Sequence, residues 1–237
     1  MLAEHGLDPA QIVTIPRGVD LERFDPAKVA PARVEALRVA WGLETHDPRT
    51  LVLLAGRLTR IKGHLTLIEA ASRLKARGRS DFVMVFAGDD QGRTDYRQEL
   101  VDTIARQGLT DVIRLTGHCD DMPAAYQLCD FAILPTTVPE SFGRTAVEPQ
   151  AMGKPVIASA HGGTVETVLD GKTGWLIPPG DVLAWADALE RAIDLGEAGR
   201  QTMGRLGTRR ARQLYSAPKA CAPNANRPAT WASTARR

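Results

Sequence analysis

Aromatic residues make up only 5% of this 237-residue chain. That is too few for the interleaved basic and aromatic surface on which single-stranded nucleic acid stacks. An excess of one charge is also lacking. Thirty Lys and Arg against 28 Asp and Glu leave a net charge of +2, so no strong field favours nucleic acid as a partner. Cysteine is scarce: Cys119, Cys129 and Cys221 form no even set and show no metal-ligand spacing. They argue against a disulfide framework and for a reducing compartment, with Cys129 a core residue. No apolar run is long enough to span a bilayer, and the opening Met1-Leu2-Ala3-Glu4-His5 has no signal-peptide apolar core. A cytoplasmic location is the expectation.

What is present is an ordinary globular balance, 43% hydrophobic and 24% charged, arranged in alternating apolar patterns. Strands are predicted near 12–15 and over 51–55, 82–87, 112–116, 131–134, 155–159 and 174–177. Between and around them, helices are predicted over 32–41, 63–77, 95–107, 121–129, 145–152, 164–169 and 181–195, from apolar residues at helical spacing. Strands and helices that alternate through short links predict an α/β fold: a Rossmann-like parallel sheet with helices on both faces. Ligands of such sheets lie beyond the carboxyl ends of the strands. The glycine turns at Gly56, Gly88 and Gly117 and the loop at Glu140 all fall there, so one cleft is expected to collect them.

Two of these turns carry chemistry. Gly56-Arg57-Leu58-Thr59-Arg60-Ile61-Lys62-Gly63 runs from a strand end to a helix start. Free helix N–H groups and two cations there suit a diphosphate; a solvated basic turn is the plainer alternative. Glu140-Ser141-Phe142-Gly143-Arg144-Thr145-Ala146-Val147-Glu148 places two carboxylates on either side of a glycine turn. Pro149 is expected within the first turn of the helix that follows, where its missing N–H costs nothing. The amides of Phe142, Gly143 and Arg144 would then point toward a ligand. Carboxylates accept hydrogen bonds from hydroxyls, so sugar and ribose hydroxyls are the expected partners of Glu140 and Glu148. A helix start acidic for dipole reasons alone accounts for Glu148 but not for Glu140 and the turn.

Gly56-Arg57 with Lys62-Gly63, followed by Glu140 and Glu148 with seven residues between, resembles the donor-binding half of retaining glycosyltransferases of family 4. Further matches are Ile15-Pro16-Arg17-Gly18-Val19-Asp20, Phe86-Ala87-Gly88, Leu115-Thr116-Gly117, Gly162-Gly163-Thr164-Val165-Glu166 and Asp170-Gly171-Lys172-Thr173-Gly174. The resemblance implies the C-terminal half of a GT-B architecture, two Rossmann-like domains facing across a cleft. It divides the chain into an interdomain linker and remnant of the N-terminal domain (1–25), a nucleotide-sugar domain (26–197), a basic helix (198–214) and an irregular tail (215–237). It also implies a missing N-terminal acceptor domain, so that this chain alone binds donor and transfers little.

On that reading Arg57 and Lys62 stabilise charge developing on the leaving diphosphate. Glu140 binds donor-sugar hydroxyls and shields the anomeric carbon, and Glu148 binds the ribose. Gly56, Gly88, Ser141, Phe142, Gly143, Arg144 and Thr145 complete the donor site, with His118 placed to meet the base. No Asp-x-Asp pair occurs in the sequence, so two cations are expected in the place of a bridging metal, and no cofactor or metal is expected. His64 is expected to face solvent, His161 to contribute only backbone beside the sugar, and Glu166 to be a charge near a helix start. Arg200, Arg205, Arg209, Arg210 and Arg212 make a basic face, solvated by default; an anionic membrane surface is the sharper alternative. After Tyr215-Ser216 the sequence turns rich in Pro, Ala and Asn and loses helical period, as a shifted reading frame or truncated gene would produce. The competing functions are a non-catalytic nucleotide-sugar-binding fragment and half of a sugar-nucleotide epimerase. A dinucleotide oxidoreductase is disfavoured because the Gly56 turn lacks the triple-glycine spacing.

Overall fold

The computed structural model describes residues 18–216. The strand expected at 12–15, most of the linker motif, Cys221 and the tail beyond Ser216 lie outside the described residues.

Six strands form one sheet: β1 (Thr50–Ala55), β2 (Phe82–Ala87), β3 (Ile113–Gly117), β4 (Phe131–Leu134), β5 (Val156–Ser159) and β6 (Gly174–Ile177). Their order is β3-β2-β1-β4-β5-β6, and every pairing is parallel. The helices are α1 (Pro31–Ala40), α2 (His64–Ala76), α3 (Thr94–Arg106), α4 (Met122–Leu128), α5 (Arg144–Ala151), α6 (Thr164–Thr167), α7 (Val182–Asp194) and α8 (Gly196–Leu214). The strand sequences TLVLLA and FVMVFA are buried throughout, because helices cover both faces of a parallel sheet. Val52, Leu54, Met84 and Phe86 face α2, α3 and α7. Leu51, Leu53, Val83 and Val85 face the other core, with α4, α5 and the aromatic rings of Phe24 and Trp41.

The strand order reverses between β1 and β4. Crossovers leave in opposite directions at such a point, and a crevice opens beyond the two carboxyl ends. β1 feeds the Gly56–Gly63 turn and β4 feeds the Glu140 loop. The topology therefore sets the two chemistry-bearing segments side by side.

Pro149 is the sixth residue of α5, not part of its first turn; there its missing N–H gives up a helical bond to Thr145. Arg200 does not belong to a solvated face. It is buried, donates to the Ala192 and Ile193 carbonyls at 3.2 and 3.1 Å, and pairs with Asp130 at 3.3 Å. Asp130 in turn accepts from the Leu51 amide at 2.7 Å. The residue thus caps the C-terminal end of α7 and ties α8 to the sheet. Arg205, Arg209 and Arg212 are exposed, and Arg210 donates to the Glu166 carbonyl at 2.6 Å.

His64 is fully buried rather than solvent-facing. Its ring meets Phe86 edge-on at 5.3 Å and Tyr96 at 6.1 Å, and neither nitrogen makes a hydrogen bond of normal geometry. Burial pushes its pKa down from 6.5 to about 4; the Thr59 backbone offsets part of the fall and nearby Lys62 adds to it. The folded chain therefore binds fewer protons than the unfolded chain at mildly acid pH. Stability is expected to be unaffected by this group above pH 6.5 and to fall as pH drops from 6.5 to about 4, by ~3 kcal/mol at the end of that window. Thermal melts across that window should show His64→Phe losing much less stability on acidification than the parent; equal losses would exclude His64 as the cause.

Candidate functional site

Each switch-point segment is held by close backbone approach. The Gly56 N–H donates to the Ala87 carbonyl at 3.0 Å, Gly88 to Gly117 at 2.8 Å and Leu58 to Asp89 at 2.9 Å. A Cβ on Gly88 would lie inside the van der Waals shell of the Gly56 carbonyl oxygen. Gly88 is therefore the residue that lets the β2 turn reach the β1 turn. Gly63 does the same toward β4: with φ of 74° it stacks on the Pro135 carbonyl, where a side chain would collide. The Thr137 N–H donating to the Ile61 carbonyl at 2.9 Å closes this junction.

The result is contact between the Lys62 ammonium and the Glu140 carboxylate. Their side chains are 16% and 23% exposed, so the pair is partly shielded from water and its charges act strongly on anything bound beside them. The Lys62 stem runs over Gly56, whose missing Cβ would sit 3.6 Å from Lys62 Cδ. Arg57 is exposed and reaches the Gln91 side chain at 3.4 Å.

Behind Glu140 stands the pair Gly162-Gly163. The Gly163 N–H donates to the Glu140 carbonyl at 2.7 Å. Side chains at these glycines would press on the Glu140 and Phe142 backbone, at 2.5 and 2.6 Å respectively. The two glycines thus receive the Glu140 loop, and their close neighbour is that loop's backbone. His161 does have a side-chain partner, Thr136 Oγ1 at 3.2 Å. Gly143 precedes α5 with φ of 76° and no side-chain cap. Among the described residues the amides of Phe142, Gly143 and Arg144 donate no backbone hydrogen bond, as the first N–H groups of an uncapped helix would. The Phe142 ring turns away, edge-on to Tyr215 at 5.5 Å.

A crevice of about 460 Å³ opens beside this pair. Of the residues expected at the site, Gly56, Arg57, Gly88, His118, Arg144, Thr145 and Glu148 line it. Lys62, Glu140, Ser141, Phe142 and Gly143 do not line it; they form its neighbouring rim through the Lys62–Glu140 contact and the α5 start. His118 is exposed and engages Asp120 at 2.9 Å, which places it at the mouth. Glu148 enters from the first turns of α5. Burial raises its pKa, and the Arg144 charge, the Tyr126 hydroxyl and Arg23 pull the other way.

Sequence reasoning missed Arg23, which lines the crevice with Asp20, Phe24, Cys119 and Met122. Arg23 donates to the Asp120 carbonyl at 3.2 Å and lies 5.5 Å from the Phe24 ring. In the sequence Arg23 directly precedes Phe24 and belongs to none of the motifs above. Among the described residues no three His, Cys, Asp or Glu side chains group as a metal site, and no helix is long and apolar enough to cross a membrane.

A Rossmann-like parallel sheet that gathers cations, free helix amides and carboxylates at its switch point is an α/β architecture built to receive a ligand there. The family model described as glycosyl transferases group 1 matches residues 40–209, and the chain belongs to that family. It is 34% identical over 224 residues to D-inositol 3-phosphate glycosyltransferase of Salinispora tropica, covering 91% of this chain and 45% of that protein. To D-inositol 3-phosphate glycosyltransferase 2 of Catenulispora acidiphila it is 35% identical over 217 residues, with 86% and 49% covered.

Among solved structures, a glycosyltransferase from Rickettsia africae superposes with a TM-score of 0.86 at 30% identity, over 92% of this chain and 57% of that one. Anabaena HepE in complex with UDP and glucose superposes at 0.75 and 28% identity, over 86% and 53%. The C-terminal domain of a glycosyl transferase group 1 protein from Francisella tularensis is matched over 99% of its length and 84% of this chain, at 0.70 and 26% identity. The chain spans about half the length of the curated relatives it matches.

Proposed function

We propose that this chain is the donor-binding domain of a retaining glycosyltransferase. It holds a nucleoside-diphosphate sugar and transfers that sugar to an acceptor only when joined to an acceptor-binding N-terminal domain. The observation that carries the proposal is the Lys62–Glu140 contact, a cation and a carboxylate paired on the rim of the switch crevice, four residues before the open start of α5 at Arg144. The match to HepE in complex with UDP and glucose supports a nucleotide sugar as the guest.

The chemistry follows from charge. Cleavage of the bond between the sugar and the diphosphate builds negative charge on the leaving oxygen. Lys62, Arg57 and the amides at the α5 start stabilise that charge in a preorganised setting. The same two cations take the role a divalent metal would otherwise fill. Glu140, already beside Lys62, accepts from donor-sugar hydroxyls and offsets positive charge at the anomeric carbon. Glu148, deeper in the crevice, accepts from the ribose diol. His118 and the Gly117–Met122 turn meet the base.

Calorimetric titration with UDP-, GDP- and ADP-sugars tests this reading. At least one is expected to bind, to weaken about tenfold or more with Arg57→Ala, and to yield no glycoside when acceptors are added to the chain alone. Unchanged affinity in Arg57→Ala, or efficient turnover by the chain alone, would contradict it.

A further inference from the structure

Tyr126 is the one fully buried tyrosine beside the crevice, and its surroundings are apolar. It sits on α4, in the core between that helix and the sheet, with the Phe24 ring 6.1 Å away and tilted by 53°. A phenol buried this way cannot swing out to water, and its hydroxyl needs a partner where it stands. That partner is Glu148: the Tyr126 hydroxyl donates to Glu148 Oε2 at 3.2 Å. The bond joins a rigid core ring to a carboxylate that otherwise has three torsions of freedom. Burial of Tyr126 holds its own proton firmly, since the phenolate is disfavoured both by desolvation and by the neighbouring carboxylate. The hydroxyl therefore acts as a donor throughout the neutral range.

We infer that Tyr126 is a positioning residue for sugar-diol recognition: it pins one oxygen of Glu148 so that the other is presented to the ribose hydroxyls of the bound nucleotide. The inference rests on the ribose role proposed for Glu148. Two geometric facts support it. Glu148 lines the crevice while Tyr126 does not, so the phenol acts from behind the carboxylate rather than on the ligand. The remaining neighbours of Glu148, Arg144 and Arg23, also line the crevice; both are exposed and hold the carboxylate by charge, without the direction that a single hydrogen bond imposes. A carboxylate fixed at one oxygen meets a diol with less ordering left to do.

The test compares a ribonucleotide with its 2′-deoxy analogue. Whichever of UDP, GDP and ADP binds the chain most tightly is titrated alongside its 2′-deoxy form, in the parent, Tyr126→Phe and Glu148→Gln. The parent should prefer the ribonucleotide, and Glu148→Gln should remove most of that preference. Tyr126→Phe, which deletes one atom and keeps the ring, should lower the preference by about fivefold to tenfold and leave affinity for the deoxy analogue nearly unchanged. That constant affinity is the internal check that the crevice is intact. In the Glu148→Gln background, Tyr126→Phe should change nothing further.

Equal weakening of both nucleotides in Tyr126→Phe would assign the phenol a merely structural role and overturn the inference. So would an unchanged preference. If instead Glu148→Gln keeps the parental preference, the ribose assignment of Glu148 fails first and the inference falls with it. Should Tyr126→Phe melt below the assay temperature, the parent carrying 3-fluorotyrosine gives a second readout. Tyr96, Tyr126 and Tyr215 are the chain's three tyrosines. One fluorine resonance should respond to the ribonucleotide and not to the deoxy analogue; none doing so would overturn the inference.

Discussion

Replacing Lys62 with alanine is expected to weaken nucleoside-diphosphate binding by about a hundredfold, ~3 kcal/mol. Two losses combine. The first is the ammonium itself, a charge-assisted donor to phosphate oxygens. The second is the partner it leaves behind. Glu140 touches Lys62 in the ligand-free chain, and without Lys62 its carboxylate faces the crevice rim unneutralised, repelling the incoming diphosphate. This second part can be isolated. In the Lys62→Ala background, Glu140→Gln removes the stranded charge and should recover about tenfold in affinity, although the same change in the parent is expected to be neutral or harmful. Calorimetry on the four proteins of this cycle decides the matter. Additive effects would mean that the contact does not couple the two residues and that Glu140 plays no electrostatic part in diphosphate binding.

Gly63→Ala is expected to be among the most damaging substitutions in the chain for its size, at ~3 kcal/mol or more of folding stability. The φ of 74° alone disfavours any side chain, and the Pro135 carbonyl occupies the place the methyl would take. Neither obstacle is the end of a flexible side chain; both are backbone at the junction between the β1 and β4 turns. Relief requires the Lys62 turn to move off Pro135, so the Lys62–Glu140 contact should be lost along with stability. Gly78→Ala is the control. Its φ is 81°, but no atom lies within 4 Å of the added methyl, so only the backbone term of about 1 kcal/mol applies. Chemical denaturation of the two variants should separate them clearly. Equal costs would show that the close approach at Pro135 is not what fixes the Lys62 turn.

Most of the fold was legible because its signals are local. β2, β4 and β6 fall on the predicted 82–87, 131–134 and 174–177, since strands buried on both faces are unbroken apolar runs. The helix limits agree within one or two residues wherever a glycine or a cap marks them, as at Gly63 and Asp181. The strand order was not legible, because it depends on which strand edges pair across the whole sheet. The reversal between β1 and β4 is what turns two separate motifs into one site.

The misreadings share a cause. His64 looked like a surface residue because a polar group at a helix start is usually solvated; here the helix start itself packs under Phe86 and Tyr96. Arg200 looked like one of five equivalent arginines until Asp130 and the end of α7 claimed it. His161 was expected to contribute only backbone, whereas its ring meets Thr136 Oγ1 at 3.2 Å. Arg23 carried no motif at all and enters the crevice only because its loop folds back on Asp120. In each case the deciding partner is distant in sequence.

The central claim is that the switch-point cations and helix amides grip a pyrophosphate. The most direct measurement is calorimetric titration with the tightest-binding nucleoside diphosphate and with its monophosphate, in the parent and in the Arg57→Ala/Lys62→Ala double variant. The account predicts a parental preference for the diphosphate of at least about tenfold, collapsing toward equality in the double variant. A parent that binds both equally, or a double variant that keeps the preference, would contradict it.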